Sequence, residues 1–106
     1  MAKVVFILQR RQDKTPEDVR EHRSGNAHVS RVAQLPGLAK FVQNYVVASP
    51  AGDVCDGLGE LWFENDAVME KALNSPEMAA AVESAGGFLD MDKTALIIVE
   101  ENTVIG

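Results

Sequence analysis

Two histidines, His22 and His28, are the side chains in this sequence best suited to proton transfer near neutral pH. A neutral imidazole can both take and give a proton, which enolisation, dehydration and isomerisation all require. The competing role for His28 is a ring that caps a helix break or bonds a backbone carbonyl. His22 lies one turn from Val19 and from Asn26, near the core-facing stripe, and reads as a partly buried structural residue. Tyr45 could orient a ligand carbonyl through its hydroxyl, and Gln43 shares its strand face. Tyr45 would equally suit interface packing. Glu60 is an acid within a strand, flanked on its own face by Leu58 and Trp62. Unpaired, it would have a raised pKa; a salt bridge to a neighbouring Lys or Arg is the alternative. Cys55 lies between Asp53 and Asp56, where negative charge disfavours a thiolate, so it is a poor nucleophile. Two histidines without a carboxylate or cysteine partner make a poor metal site, and no metal is expected. Phosphate-loop, dinucleotide and zinc signatures are missing, so no nucleotide cofactor is expected either.

The elements that must position these groups follow from pattern. Lys3 to Arg10 (KVVFILQR) is a short apolar run without alternation, typical of a central strand covered on both faces. Thr15-Pro16-Glu17-Asp18 starts a helix with a hydroxyl cap, a proline in the first turn and acids at the positive end. That helix should run towards Gln34, with Val19, Val29, Val32 and Ala33 available to the core and a break at Ser24-Gly25-Asn26. Leu35-Pro36-Gly37 turns the chain. Lys40 to Val47 alternates as a second strand, with Phe41, Gln43, Tyr45 and Val47 on one side and Val42, Asn44 and Val46 on the other. After a loop, Gly57 to Phe63 (GLGELWF) is a third strand. Asn65 caps a helix carrying Val68, Met69, Ala72 and Leu73, and Ser75-Pro76-Glu77 starts another that Gly86-Gly87 closes. Thr94 to Val99 is the last strand. Its likeness to the first suggests two adjacent central strands.

The order is βαββαβ: an α+β, ferredoxin-like fold with a four-stranded antiparallel sheet and helices on one face. At 106 residues the chain is read as a single domain, 1–106, with no room for a second core. One helix layer covers one sheet face, so a second copy of the sheet is the simplest cover for the other, and a homodimer is expected. A net charge of −6 argues against a nucleic-acid surface. The charge is uneven: residues 1–50 hold eight Lys and Arg against four acids, and residues 51–106 hold two against twelve. Two solvated faces of opposite sign would account for this. So would a basic first helix beside a site for a weakly acidic ligand. The longest apolar stretch near the N-terminus, Val4 to Leu8, is too short for a signal or a membrane span. With a single cysteine, this favours the cytoplasm, away from membranes.

Several stretches, taken in order, resemble the EthD family: KVVFILQR with RRQDKTPEDVREH, then AHVSRVAQLPGLAKFVQNY, then GELWF and NSPEM. The resemblance extends from about Lys3 to Glu100. It implies a dimeric α+β barrel, in which two four-stranded sheets face each other and each subunit keeps a pocket between its sheet and helices. Such relatives include proteins linked to ether degradation, lactone isomerases, polyketide cyclases and cofactor-free monooxygenases. His28 matches the second histidine of the family's H-W-x-x-x-H-x-P-L stretch, although Ala27, Val29 and Ser30 supply no proline. His22 is one residue too far from it, Arg23 stands in place of the aromatic residue, and an extra residue near Gly25 would explain the offset. Leu61 replaces the cysteine of the lactone-isomerase relatives and Phe41 their tyrosine, which argues against that isomerisation.

Two functions are consistent with these residues. One is cofactor-free proton transfer (isomerase, dehydratase or cyclase type) on an apolar carbonyl, lactone or aromatic metabolite. His28 would act with Tyr45 or Glu60, and His22, Phe41, Gln43, Trp62 and Phe88 would line the pocket. The other is non-catalytic ligand binding in support of a partner oxygenase that degrades ethers or aromatics.

Overall fold

The structure is a computed structural model describing residues 1–106. Eight elements follow one another: β1 (Ala2–Leu8), α1 (Pro16–Ser24), α2 (Asn26–Ala33), β2 (Leu38–Tyr45), β3 (Gly57–Phe63), α3 (Asp66–Leu73), α4 (Pro76–Ala85) and β4 (Ala95–Val99). The strands form one antiparallel sheet in the order β2-β3-β1-β4. This is the expected α+β, ferredoxin-like arrangement, with one correction. β4 does pair with β1, but it is an edge strand, and β3 takes the second central position. Pattern alone misled here because an apolar edge strand reads like a central one.

The helix starts form as their residues dictate. Thr15 Oγ1 accepts from the Asp18 amide at 3.1 Å, and the Asp18 carboxylate accepts from the Thr15 amide at 2.9 Å, completing a capping box. Asn65 and Ser75 cap α3 and α4 in the same sense. Gly25 is the break: one extended residue ends α1 and begins α2. Gly37 turns the chain into β2 at φ +75°, a conformation that favours glycine.

One face of the sheet carries Ala2, Val4, Leu8, Leu61 and Phe63 into the helices, and the four helices lie on that side. The core is in two parts. The larger joins Val4, Leu61 and Phe63 to Val32, Leu35, Met69, Ala72 and Met78. The smaller joins Leu8 and Val19 to Ala85, Phe88 and Leu89. Phe6 packs against both. The opposite face carries Lys3, Val5 and Ile7 beside Val42, Asn44, Leu58, Glu60, Trp62 and Ile97, with no helix over it. No helix is long and apolar enough to cross a membrane.

Candidate functional site

A pocket opens at the seam between the two core clusters, with about 70 Å³ of free volume. Phe6, Phe41, Gly59 and Leu61 form its floor on the sheet, and Val32, Met78, Ala81 and Ala85 roof it from α2 and α4. Phe88, Leu89 and Met91 close the end beyond α4. Among these mostly apolar walls, two ionisable side chains reach the lining, Arg23 and His28.

His28 is the third residue of α2, and its Nδ1 lies 3.1 Å from Ser84 Oγ on α4. Its ring meets Phe88 edge-on at 5.3 Å. Burial pushes its pKa below the ordinary 6.5, and the positive charges of Arg23, His22 and Arg31 push the same way. The ring is therefore neutral at pH 7. Its position near the positive end of α2 favours the same form. Ser84 occupies one ring nitrogen, which fixes the imidazole plane and leaves Nε2 without a protein hydrogen bond.

Arg23, near the C-terminus of α1, is 3% exposed. Its Nη1 donates to the Asn44 carbonyl at 2.8 Å and its Nη2 to the Leu58 carbonyl at 2.6 Å. The guanidinium rests on the sheet because β3 has no side chains beneath it. A Cβ at Gly57 would come within 2.5 Å of Arg23 Nη1 and of the Asn44 carbonyl oxygen, and one at Gly59 would face Arg23 Nη2 at 4.0 Å. No carboxylate pairs with this cation. Burial lowers its pKa from the ordinary arginine value, and Tyr45, whose ring centre is 4.8 Å away, acts in the opposite direction. A guanidinium keeps its proton throughout the working range. A buried, unpaired cation costs several kcal/mol in desolvation, which the Tyr45 ring and the Asn44 and Leu58 carbonyls offset in part.

Gln43 ties these pieces together. Its Nε2 donates to the Arg23 backbone carbonyl at 2.6 Å, and its Oε1 accepts from the Tyr45 hydroxyl at 2.5 Å. The Nε2 end thus holds α1 on β2, and the Oε1 end braces Tyr45 within β2.

His28, Phe41, Gln43 and Phe88 all reach the pocket. Tyr45 shares a face with Gln43 but lies outside the lining, beneath the guanidinium groups of Arg20 and Arg23. His22 is a correction: it is exposed, stacked on the outer side of Phe88 at 5.3 Å, because α1 turns that position to solvent. Glu60 and Trp62 are corrections of a stronger kind. Strand alternation puts them on the far side of the sheet, away from His28. There Glu60 pairs with Lys3 Nζ at 2.7 Å and accepts from Asn44 Nδ2 at 2.7 Å. The hydrogen bonds from Lys3 and Asn44 hold its carboxyl below the ordinary range rather than above it. Lys3 and Lys40 flank the Trp62 ring, whose Nε1 donates to Glu101. Nowhere do three His, Cys, Asp or Glu side chains converge as a metal site would require.

Sequence reasoning missed Ser84, Gly59 and the role of Arg23. The signals were present: an arginine where relatives carry an aromatic residue, and glycines two apart on one strand face. Such glycines mark a place where another group approaches the backbone closely.

Comparison with known proteins agrees with this architecture. Over 96% of this chain and 99% of the other, the fold superimposes at a TM-score of 0.79 and 24% identity on an ethyl tert-butyl ether d (EthD) family protein from Bacillus halodurans. A dimeric ferredoxin-like protein from Thermobifida fusca matches at 0.71 and 14% identity, covering 92% of this chain and 88% of its own. SnoaB, a cofactor-independent oxygenase from Streptomyces nogalater, matches at 0.65 and 9% identity, covering 95% and 92%. No curated protein sequence matches the chain. The EthD domain model matches residues 11–92, from the turn before α1 to the loop after α4, and by that match the chain belongs to the EthD family.

Proposed function

We propose that this protein binds a small, largely apolar molecule bearing a carbonyl group, such as a lactone or an aromatic carbonyl, and moves a proton on it with His28. No bound cofactor is needed for this step. The observation that carries the reading is a neutral imidazole, oriented by Ser84, on the wall of an otherwise apolar pocket. Apolar walls with a few placed polar groups are the usual character of small-molecule sites.

In the proposed step His28 takes a proton from the carbon next to the carbonyl. The C–H electron pair moves to form the C=C bond of an enolate, and the carbonyl π electrons move to oxygen. Return of the proton at another carbon gives an isomer; alternatively the enolate electrons expel a β-hydroxyl, which takes the proton from His28 and leaves as water. Burial keeps the base unprotonated at pH 7 and removes competing water. Native mass spectrometry of protein exposed to cell extract identifies a retained ligand, on which turnover is then measured. His28→Gln should reduce that turnover by about 10²–10⁴-fold. Full turnover by a folded His28→Gln variant would sink the proposal.

One observation favours a second reading. Besides Arg23, which cannot give up its proton, His28 is the single ionisable group on the lining, so a second acid or base is missing. A non-catalytic carrier that serves a partner oxygenase would need none. That reading expects ligand retention to survive His28→Gln, with no product formed by either protein.

We further infer that two copies pair through the open sheet face. Val5, Ile7, Val42, Leu58 and Trp62 are half-buried there and Ile97 is exposed, an apolar surface that no helix covers. The dimeric Thermobifida fusca neighbour supports this pairing.

A further inference from the structure

The proposed function leaves one group unused. Arg23 is almost wholly buried, lines the pocket and has no acidic partner. Its two hydrogen bonds satisfy the Asn44 and Leu58 carbonyls, which accounts for two of the five N–H donors of a guanidinium. Neutral donors could have satisfied those carbonyls, so the bonds do not explain the charge. The surroundings add to it instead of cancelling it. Arg20 lies 4.5 Å from the Tyr45 ring centre that Arg23 also approaches. The seat itself is built, since a Cβ at Gly57 would come within 2.5 Å of the guanidinium.

From this arrangement we propose that Arg23 is the anion-binding element of the pocket, and that the ligand is a planar organic acid whose charged oxygen pairs with the guanidinium while its apolar body lies on Phe6, Phe41, Leu61 and Phe88. The proposal rests on the pocket reading above and narrows it from apolar carbonyl compounds to acidic ones. A guanidinium presents a flat fork of donors that suits a delocalised oxyanion, and a buried cation gains most from an anion that shares its dry site. The same geometry stabilises negative charge that develops on a carbonyl oxygen when His28 removes a proton.

The test compares benzoate with benzamide, which have nearly the same shape and differ in charge. Binding to the full chain is followed by NMR of the His28 ring and the Arg23 guanidinium. Benzoate should bind at least about tenfold more tightly, because hydrogen bonds to charged groups exceed neutral ones by that margin. It should also shift the Arg23 guanidinium signals, which benzamide leaves in place. In Arg23→Met the preference should vanish while benzamide binding is kept. Equal affinities in the wild type, or a folded Arg23→Met that still prefers benzoate, would overturn the anion assignment and leave the pocket reading intact. If neither compound moves the His28 signals, both readings fail. Should Arg23→Met not fold, the wild-type comparison and the guanidinium shift decide alone.

Discussion

His28 and Glu60 are the two residues whose environments contradict a simple reading of their types. A histidine normally changes charge near pH 6.5, yet burial and neighbouring cations hold His28 below that value. Glu60 sits within a strand and would be costly if unpaired, yet Lys3 and Asn44 keep it ionised. For His28 the consequence for stability has a definite sign. Between the folded value and 6.5 the unfolded chain binds more protons than the native one, so stability rises with pH across that window. The contribution is fully present above 6.5 and is lost as pH falls towards the folded value. Urea unfolding at a series of pH values should therefore show a shallower acid-side slope for His28→Gln than for the wild type. An unchanged slope would mean that the ring is not held neutral by its site. Glu60 shows why residue type alone places a group poorly: Leu58, Glu60 and Trp62 could be assigned to one strand face, but nothing in them says which face the helices cover.

At the level of elements, most of the fold was legible because local chemistry specifies it. The caps Thr15, Asn65 and Ser75, the prolines after two of them, and the break at Gly25 all stand where the sequence indicates. β3 spans Gly57–Phe63, as read from GLGELWF. Two features were not legible. β2 begins at Leu38 and ends at Tyr45, two residues earlier than alternation suggested, since pairing with β3 rather than periodicity sets its limits. β4 lies at the edge, which depends on chain topology and leaves no mark on its own five residues. The pocket was only partly legible for a similar reason. His28, Phe41 and Phe88 could be nominated by type, whereas Ser84 and Arg23 matter through neighbours on other elements. The α1 capping box carries its own test. Thr15→Ala should lower stability by about 1 kcal/mol, read from the midpoint of urea unfolding with an unchanged m-value. A loss near zero would show that α1 is held by Val19 and Arg23 rather than by its start.

At the scale of the whole molecule, the proposed pairing rests on the open sheet face. Val5 lies at its centre, in register with Glu60 on β3 and Ile97 on β4. Wild-type protein should sediment as a dimer at micromolar concentration. Val5→Lys should shift it to a monomer of unchanged circular dichroism, because stripping water from a charge between two sheets costs more than a pair with Glu60 returns. A monomeric wild type would remove the pairing. The pocket also bears on the molecule as a whole, through the bare patch of β3 at Gly59. A methyl group there would meet Phe6 Cβ at 3.8 Å and Arg23 Nη2 at 4.0 Å, both ordinary contacts. Replacing the glycine would also restrict the unfolded chain, which generally stabilises by about 0.4–1 kcal/mol. Gly59→Ala should thus raise the melting temperature while narrowing the floor of a 70 Å³ pocket. A more stable but ligand-poor variant would show that Gly59 trades robustness for capacity, and would turn this position into a one-carbon dial for the size of molecule admitted.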